Sequence, residues 1–152
     1  MANDLNILYQ NVRGLRSKTN IFYRNLINID CDMVCLSETW LNDSVFDYEV
    51  FDTRYTVYRN DRDYASRGDK LGGGVLIAVR SHLRVHSSST IKLSNPVAEV
   101  VRVSISLHLS PSSRFCIFTV VIFLMENTIM NHCVNLMNWY LRISYTILTT
   151  IF

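Results

Sequence analysis

The sequence predicts a mixed α/β domain, rich in strands and poor in helices. Two apolar runs, Leu5 to Gln10 and Met33 to Ser37, are joined by about 20 residues of helical apolar spacing, which is a parallel crossover and not a hairpin. Further along, Val97 to Leu107 alternates between apolar and polar residues, the period of a strand with one buried face. The longest apolar stretch, Phe115 to Met125, is shorter than the ~20 residues a membrane helix needs and is rich in β-branched residues, so it reads as a buried strand.

In chain order, Leu5 to Gln10 is the first strand. Ser17 fits the N-cap of a helix whose apolar positions are Ile21, Phe22, Leu26, Ile27 and Ile29, and Met33 to Ser37 is the second strand. A polar loop through Asn42, Asp43 and Ser44 leads to two more strands, Tyr55 to Arg59 and Gly74 to Arg80, on either side of a charged connection. Leu83 to Val85, Val97 to Leu107 and Phe115 to Ile122 add strands separated by Ser and Pro turns. Asn127 to Leu141 carries apolar residues at helical spacing and reads as a helix, and "YTILTTIF", Tyr145 to Phe152, as a closing strand.

Composition bounds the function. At 152 residues and 49% hydrophobic, the chain can form one core burying roughly 70% of its unfolded surface. With 15 Lys and Arg against 13 Asp and Glu there is no overall basic field, so any phosphate-binding surface must be local. The cysteines at 31, 35, 116 and 133 form no CxxC pair, and the N-terminus carries no apolar secretory segment; the expected setting is reducing and intracellular, nuclear or cytoplasmic, with no membrane partner. Cys31 and Cys35 would lie more than about 10 Å apart along an extended strand, too far for a disulfide, and Cys35 reads as core. After Leu109 only Arg114, Glu126 and Arg142 are charged. That tail reads either as the interior of a larger domain or as altered-frame or non-coding sequence, and composition favours neither.

In a parallel βαβ unit both strands open at one edge of the sheet, where open α/β sheets place their ligands. Asn11 and Glu38, at the two strand ends, therefore share a rim. An amide and a carboxylate converging there suit a hard cation such as Mg²⁺, which takes oxygen ligands and keeps several waters. On spacing alone the leading reading is plainer: Asn11 caps a turn and Glu38 caps or flanks a helix.

Resemblance reverses that order. The stretches "NILYQNVRGLRSK", "DMVCLSETWL", "YRNDR" and "GGGVLIAVR", in this order and at these separations, resemble the endonuclease/exonuclease/phosphatase superfamily. More closely, they look like the apurinic-type endonuclease domain of non-LTR (LINE- or jockey-like) retrotransposons. The match is strong over residues 6–79 and diverged over 80–152, so that residues 1–152 read as a partial domain of this type. The resemblance implies a four-layer α/β sandwich, here truncated before its last strands, in which Asn11 lies in the active site beside the metal and Glu38 is a metal ligand. It implies Mg²⁺ (or Mn²⁺) as cofactor, DNA as substrate, phosphodiester hydrolysis as reaction, a reverse transcriptase domain in the same polyprotein, and otherwise a monomer.

The pattern then breaks down. Aligning "FCIFTVVIFLMEN" with the family's strand ending in Tyr-Ile-Pro-Pro puts Val121 at the position of a catalytic Tyr and Phe123 and Leu124 at the prolines. "YTILTTIF" fits the strand before a "GDFN" type motif, but neither that motif nor the later "SDH" type motif is in the sequence, so this chain alone is expected to be inactive. A non-catalytic retroelement remnant or weak DNA-binding fragment is the alternative of a different class. A phosphatase of the same superfamily is a third reading, against which the "QNVRGLRSK" and "YRNDR" segments argue.

Arg13, Arg16, Lys18, Arg59 and Arg62 are candidate contacts to DNA phosphates, against the plainer reading of the first three as a solvated loop and helix start. Asp61 reads as fixing an Arg. Gly72 to Gly74 lacks a following Walker lysine and reads as close backbone packing near the cleft. Trp40 reads as core filling, with packing under the metal loop as its other reading. His82, His86, His108 and His132 lack metal-ligand spacing and read as incidental.

Overall fold

The computed structural model describes residues 5–62, 72–94, 97–109, 114–125 and 138–148, with side chains described within 5–62, 72–91 and 99–106. Its first sheet contains β1 (Ile7–Asn11), β2 (Met33–Ser37), β3 (Tyr55–Asn60) and β4 (Val75–Arg80), in the order β1-β2-β4-β3. The second contains β5 (Arg84–Ser94), β6 (Val97–Leu109), β7 (Arg114–Met125) and β8 (Asn138–Leu148), an antiparallel meander in sequence order. One α-helix, α1 (Thr19–Ile27), and a 3-10 turn, Asp47–Glu49, complete the described elements. The fold is mixed α+β and dominated by strands, and no helix among the described residues is long and apolar enough to cross a membrane.

β1 and β2 pair in parallel, with Ile7 opposite Met33 and Asn11 opposite Ser37. The expected crossover is therefore present. β1 runs one residue further than expected because Asn11 still faces Ser37, and it begins at Ile7 because Asp32 and Met33 both donate their amides to Asn6 O, at 2.8 and 3.1 Å. β4 is antiparallel to both β2 and β3.

β2 is buried along its whole length because both faces of the sheet are covered. On one face Val34, Leu36, Leu76 and Ala78 pack with Leu26 of α1 and with Leu41, Val45, Val50 and Phe51 of the following loop. On the other, Met33, Cys35, Val75, Ile77 and Val79 pack against Val101, Val103 and Ile105 of β6. The described layers are thus helix and loop, sheet, sheet.

Several expectations are corrected. Ser17 does not cap the helix: Lys18 occupies that position with no side-chain cap bond, because the Leu15 to Lys18 turn precedes the helix. Of the helical apolar set, Leu26 is buried and Phe22 meets Phe51 edge-on at 5.7 Å, whereas Ile21 and Ile27 are exposed. The strand expected at Leu83 to Val85 is β5, which continues through the polar run Ser87 to Thr90 to Ser94. It is an edge strand with a register shift between Val85 and Ser87, and an edge tolerates polar residues that break apolar alternation. The helix expected over Asn127 to Leu141 is not helical where it is described: Asn138 onward is β8, whose aromatic and β-branched residues pair with β7. Residues 127–137, and residues 149–152 of the expected closing strand, lie outside the described residues.

Candidate functional site

The chain beyond β1 and the chain beyond β2 stay paired after the strands end. Val12 N–H donates to Ser37 O, Gly14 N–H to Glu38 O and Leu15 N–H to Thr39 O, at 3.0, 2.8 and 2.8 Å. On its other side the Glu38 loop is held by the glycine run: Thr39 N–H donates to Gly74 O at 3.2 Å and Trp40 N–H to Gly73 O at 3.0 Å. "SETW" thus lies between "VRGL" and "GGG", and the shared rim expected for Asn11 and Glu38 is formed.

Glu38 is 4% exposed. Its Oε2 accepts the Trp40 indole N–H at 2.8 Å and the Gly73 amide at 2.9 Å, while its Oε1 is buried with no hydrogen-bond partner among the described residues. Leaving a buried carboxylate oxygen unpaired costs on the order of 1–3 kcal/mol or more, so this oxygen is a standing acceptor for a cation or a donor. Glu38 neither caps nor flanks a helix. Asn11 does close a turn, its Oδ1 accepting the Arg13 amide at 3.2 Å, which leaves its NH₂ group as a donor at the rim.

The backbone here is strained. Arg13, Glu38 and Trp40 adopt left-handed φ of 44°, 57° and 55°, conformations that cost a non-glycine residue about 1–2 kcal/mol each. All three flank the rim. Gly14 (φ 87°) makes room for Trp40: a Cβ there would come within 2.6 Å of the indole ring. Trp40 is accordingly half-buried, and it serves as a hydrogen-bond donor as well as filling space.

Below the rim, the Tyr9 hydroxyl and Ser37 Oγ lie 2.9 Å apart, and burial pushes the Tyr9 phenol up from its ordinary range. Cys35, fully buried in the same sheet, is pushed up to about 12 by burial, and both Cys31 and Cys35 are free thiols.

Among the candidate DNA contacts, Arg13 and Arg16 are exposed beside the rim. Lys18 Nζ instead donates to Val12 O and Arg13 O, at 3.0 and 3.2 Å, stiffening the loop. Arg59 is committed to structure: it donates to Val45 O and Asn42 O and pairs with Asp47 and Asp61, as expected for Asp61. Arg62 is 7% exposed and forms a two-pronged ion pair with Glu99 of β6, at 2.7 and 3.0 Å, which takes it out of reach of a phosphate. Of the histidines, His82 lies 3.5 Å from Asp32, His86 is exposed, His108 is described in backbone only and His132 lies outside the described residues.

Sequence reasoning missed three contributors. Gly73 donates its amide to the carboxylate, a role for which the glycine run was the available signal. Trp40 acts through its N–H, and Glu99 is 37 residues from the Arg it holds, with no local signal at all.

Among the described residues no three His, Cys, Asp or Glu side chains cluster as a metal cage. A single carboxylate with one oxygen anchored and one free fits instead the type of site in which Mg²⁺ keeps its waters and completes its shell with a phosphate.

No protein-family model matches the chain, and no curated protein matches it significantly.

Proposed function

We propose that the chain is an endonuclease/exonuclease/phosphatase-type segment, of the kind that nicks DNA in non-LTR retrotransposon polyproteins, and that its rim binds a divalent cation and a DNA phosphate. The observation that carries this reading is the unpartnered Oε1 of Glu38, held at the C-terminal end of β2 beside Asn11. Glu38 would hold Mg²⁺ or Mn²⁺, whose chemistry is to neutralise charge developing on the phosphodiester. Trp40 and Gly73 fix the other carboxylate oxygen, so the free one is pre-aimed. The Asn11 NH₂ would donate to a non-bridging phosphate oxygen. Arg13 and Arg16 supply phosphate contacts along the strand.

The sequence contains neither the "GDFN" nor the "SDH" type motif, the groups that hold and activate the attacking water in the family it resembles. Cation and DNA binding without turnover is therefore the activity expected of these 152 residues by themselves.

A supercoiled-plasmid nicking assay with Mg²⁺, run beside Glu38→Ala and paired with a DNA-binding titration, tests this. The expected result is Mg²⁺-dependent DNA binding that Glu38→Ala weakens, with no nicking above background. Nicking that Glu38→Ala abolishes would show that the missing motifs are dispensable, and DNA binding indifferent to both Mg²⁺ and Glu38 would remove the cation site from the reading.

A further inference from the structure

We infer that the buried Arg62–Glu99 ion pair positions the Glu38 carboxylate through Gly73, so that the second sheet sets the geometry of a site built on the first. Gly73 is the joint. Its amide holds Glu38 Oε2 at 2.9 Å, and its Cα lies directly against the Arg62 guanidinium: a Cβ on Gly73 would come 2.2, 2.3 and 2.7 Å from Arg62 Nε, Cζ and Nη2.

That guanidinium is fixed in turn. Arg62 Nε donates to Glu99 Oε1 and Nη2 to Glu99 Oε2, at 2.7 and 3.0 Å, with the two side chains 5% and 4% exposed. The end of β3 is carried to this partner by Asn60, whose Nδ2 donates to Ile91 O of β5 at 2.7 Å and to Val100 O of β6, next to Glu99, at 3.2 Å. A buried ion pair is weak support for stability, since apolar residues of similar volume often serve as well. What this pair supplies is a rigid planar floor under Gly73. On the β1 side Glu38 is held through its backbone carbonyl by Gly14, and the Trp40 indole shares Oε2 with the Gly73 amide. Loss of the ion pair should therefore loosen the Gly73 amide's hold on the carboxylate, leaving the Trp40 indole on Oε2 and the Gly14 bond to Glu38 O in place. Arg62 and Glu99 are positioning residues.

The functional meaning rests on reading Glu38 as the cation ligand; the mechanical link does not. The test is amide hydrogen exchange on the ¹⁵N-labelled 152-residue chain, comparing Gly73 with Gly14 in wild type, Glu99→Gln and the Arg62→Met/Glu99→Leu double variant. Exchange at Gly73 is expected to accelerate at least about tenfold in both variants while Gly14 stays within about twofold of wild type. Unchanged Gly73 exchange in Glu99→Gln overturns the inference, and so does equal acceleration at Gly14 and Gly73, which would mean general loosening. If the double variant does not fold, Glu99→Gln decides alone. In parallel, Tb³⁺, an oxygen-seeking cation whose emission the nearby Trp40 sensitises, is titrated into wild type, Glu38→Gln and Glu99→Gln. Binding weakened about tenfold in Glu99→Gln and more in Glu38→Gln is expected. Equal Tb³⁺ binding by wild type and Glu38→Gln, with Gly73 exchange still accelerated, would remove the cation reading and leave the positioning link standing.

Discussion

The indole N–H of Trp40 donates to Glu38 Oε2 across 2.8 Å, although the two residues are only two apart in the chain and both have left-handed backbones. The strained conformation and the hydrogen bond belong together: the turn folds the ring back over the carboxylate. Hydrogen bonds to a charged group contribute about 1.5–3 kcal/mol, so Trp40→Phe, which keeps a ring and removes the donor, is expected to destabilise the chain by about that amount. Urea unfolding checks this, and a loss under about 0.5 kcal/mol would mean that the indole is a spacer only.

Glu38→Gln should act in the opposite direction without metal. The Gln carbonyl can take the donors from Trp40 and Gly73, and the buried Oε1 charge is replaced by a neutral NH₂ group. In EDTA the variant is expected to be about 1 kcal/mol or more stabler than wild type, the pattern of a functional residue held against the interest of folding. Mg²⁺ should stabilise wild type alone, by about 2.7 kcal/mol at a hundredfold excess over its Kd. A variant that is less stable in EDTA and equally responsive to Mg²⁺ would show that Oε1 is not a cation acceptor.

The rim was legible because its signals are local. Apolar runs that stop at Asn11 and Glu38, joined by a helical crossover, define a parallel pair whose ends coincide, and the structure pairs Asn11 with Ser37. The glycine run announced close approach, but which amide faced the carboxylate depends on the pairing of the loops on both sides of "SETW". Arg59 and Arg62 look alike in sequence as basic residues flanking an Asp; only the tertiary fold gives Arg62 its partner on β6 and ties Arg59 to the 42–47 loop. The expected helix through residue 141 failed at its described end for a related reason. A short apolar run has no period that separates helix from strand, and pairing with β7 decides it over Asn138–Leu148.

Gly14→Ala tests the other contact of Trp40. The φ of 87° alone costs a side chain about 1–2 kcal/mol, and the new Cβ would lie 2.6 Å from the indole, so the ring must move. A larger loss than the backbone strain, together with a shifted Trp40 fluorescence spectrum, is the expected result. In a Trp40→Phe background the spectral shift should vanish and part of the stability loss should return, because a smaller ring leaves room for the methyl group.

Asp52 supplies the pH test. Its carboxylate accepts Arg54 Nε and Nη2 at 2.8 to 3.0 Å and the Arg54 amide at 2.9 Å, and Arg54 Nη2 reaches on to Leu26 O in α1 at 3.3 Å. The Arg54 side-chain hydrogen bonds, against an opposing effect of burial, hold this carboxyl below its ordinary value of 3.8. A carboxyl with a lower pKa folded than unfolded binds protons more readily in the unfolded chain, so its contribution is complete above the ordinary value and is lost as pH falls through the folded one. Asp52→Asn lacks that contribution at every pH. Wild type should therefore exceed the variant in urea midpoint by a constant margin from neutral pH down to the ordinary value, and the margin should shrink below it. A margin that stays level into strong acid would mean that Arg54 stabilises the carboxylate no better than water does, and that the tie between α1 and the approach to β3 is geometric only.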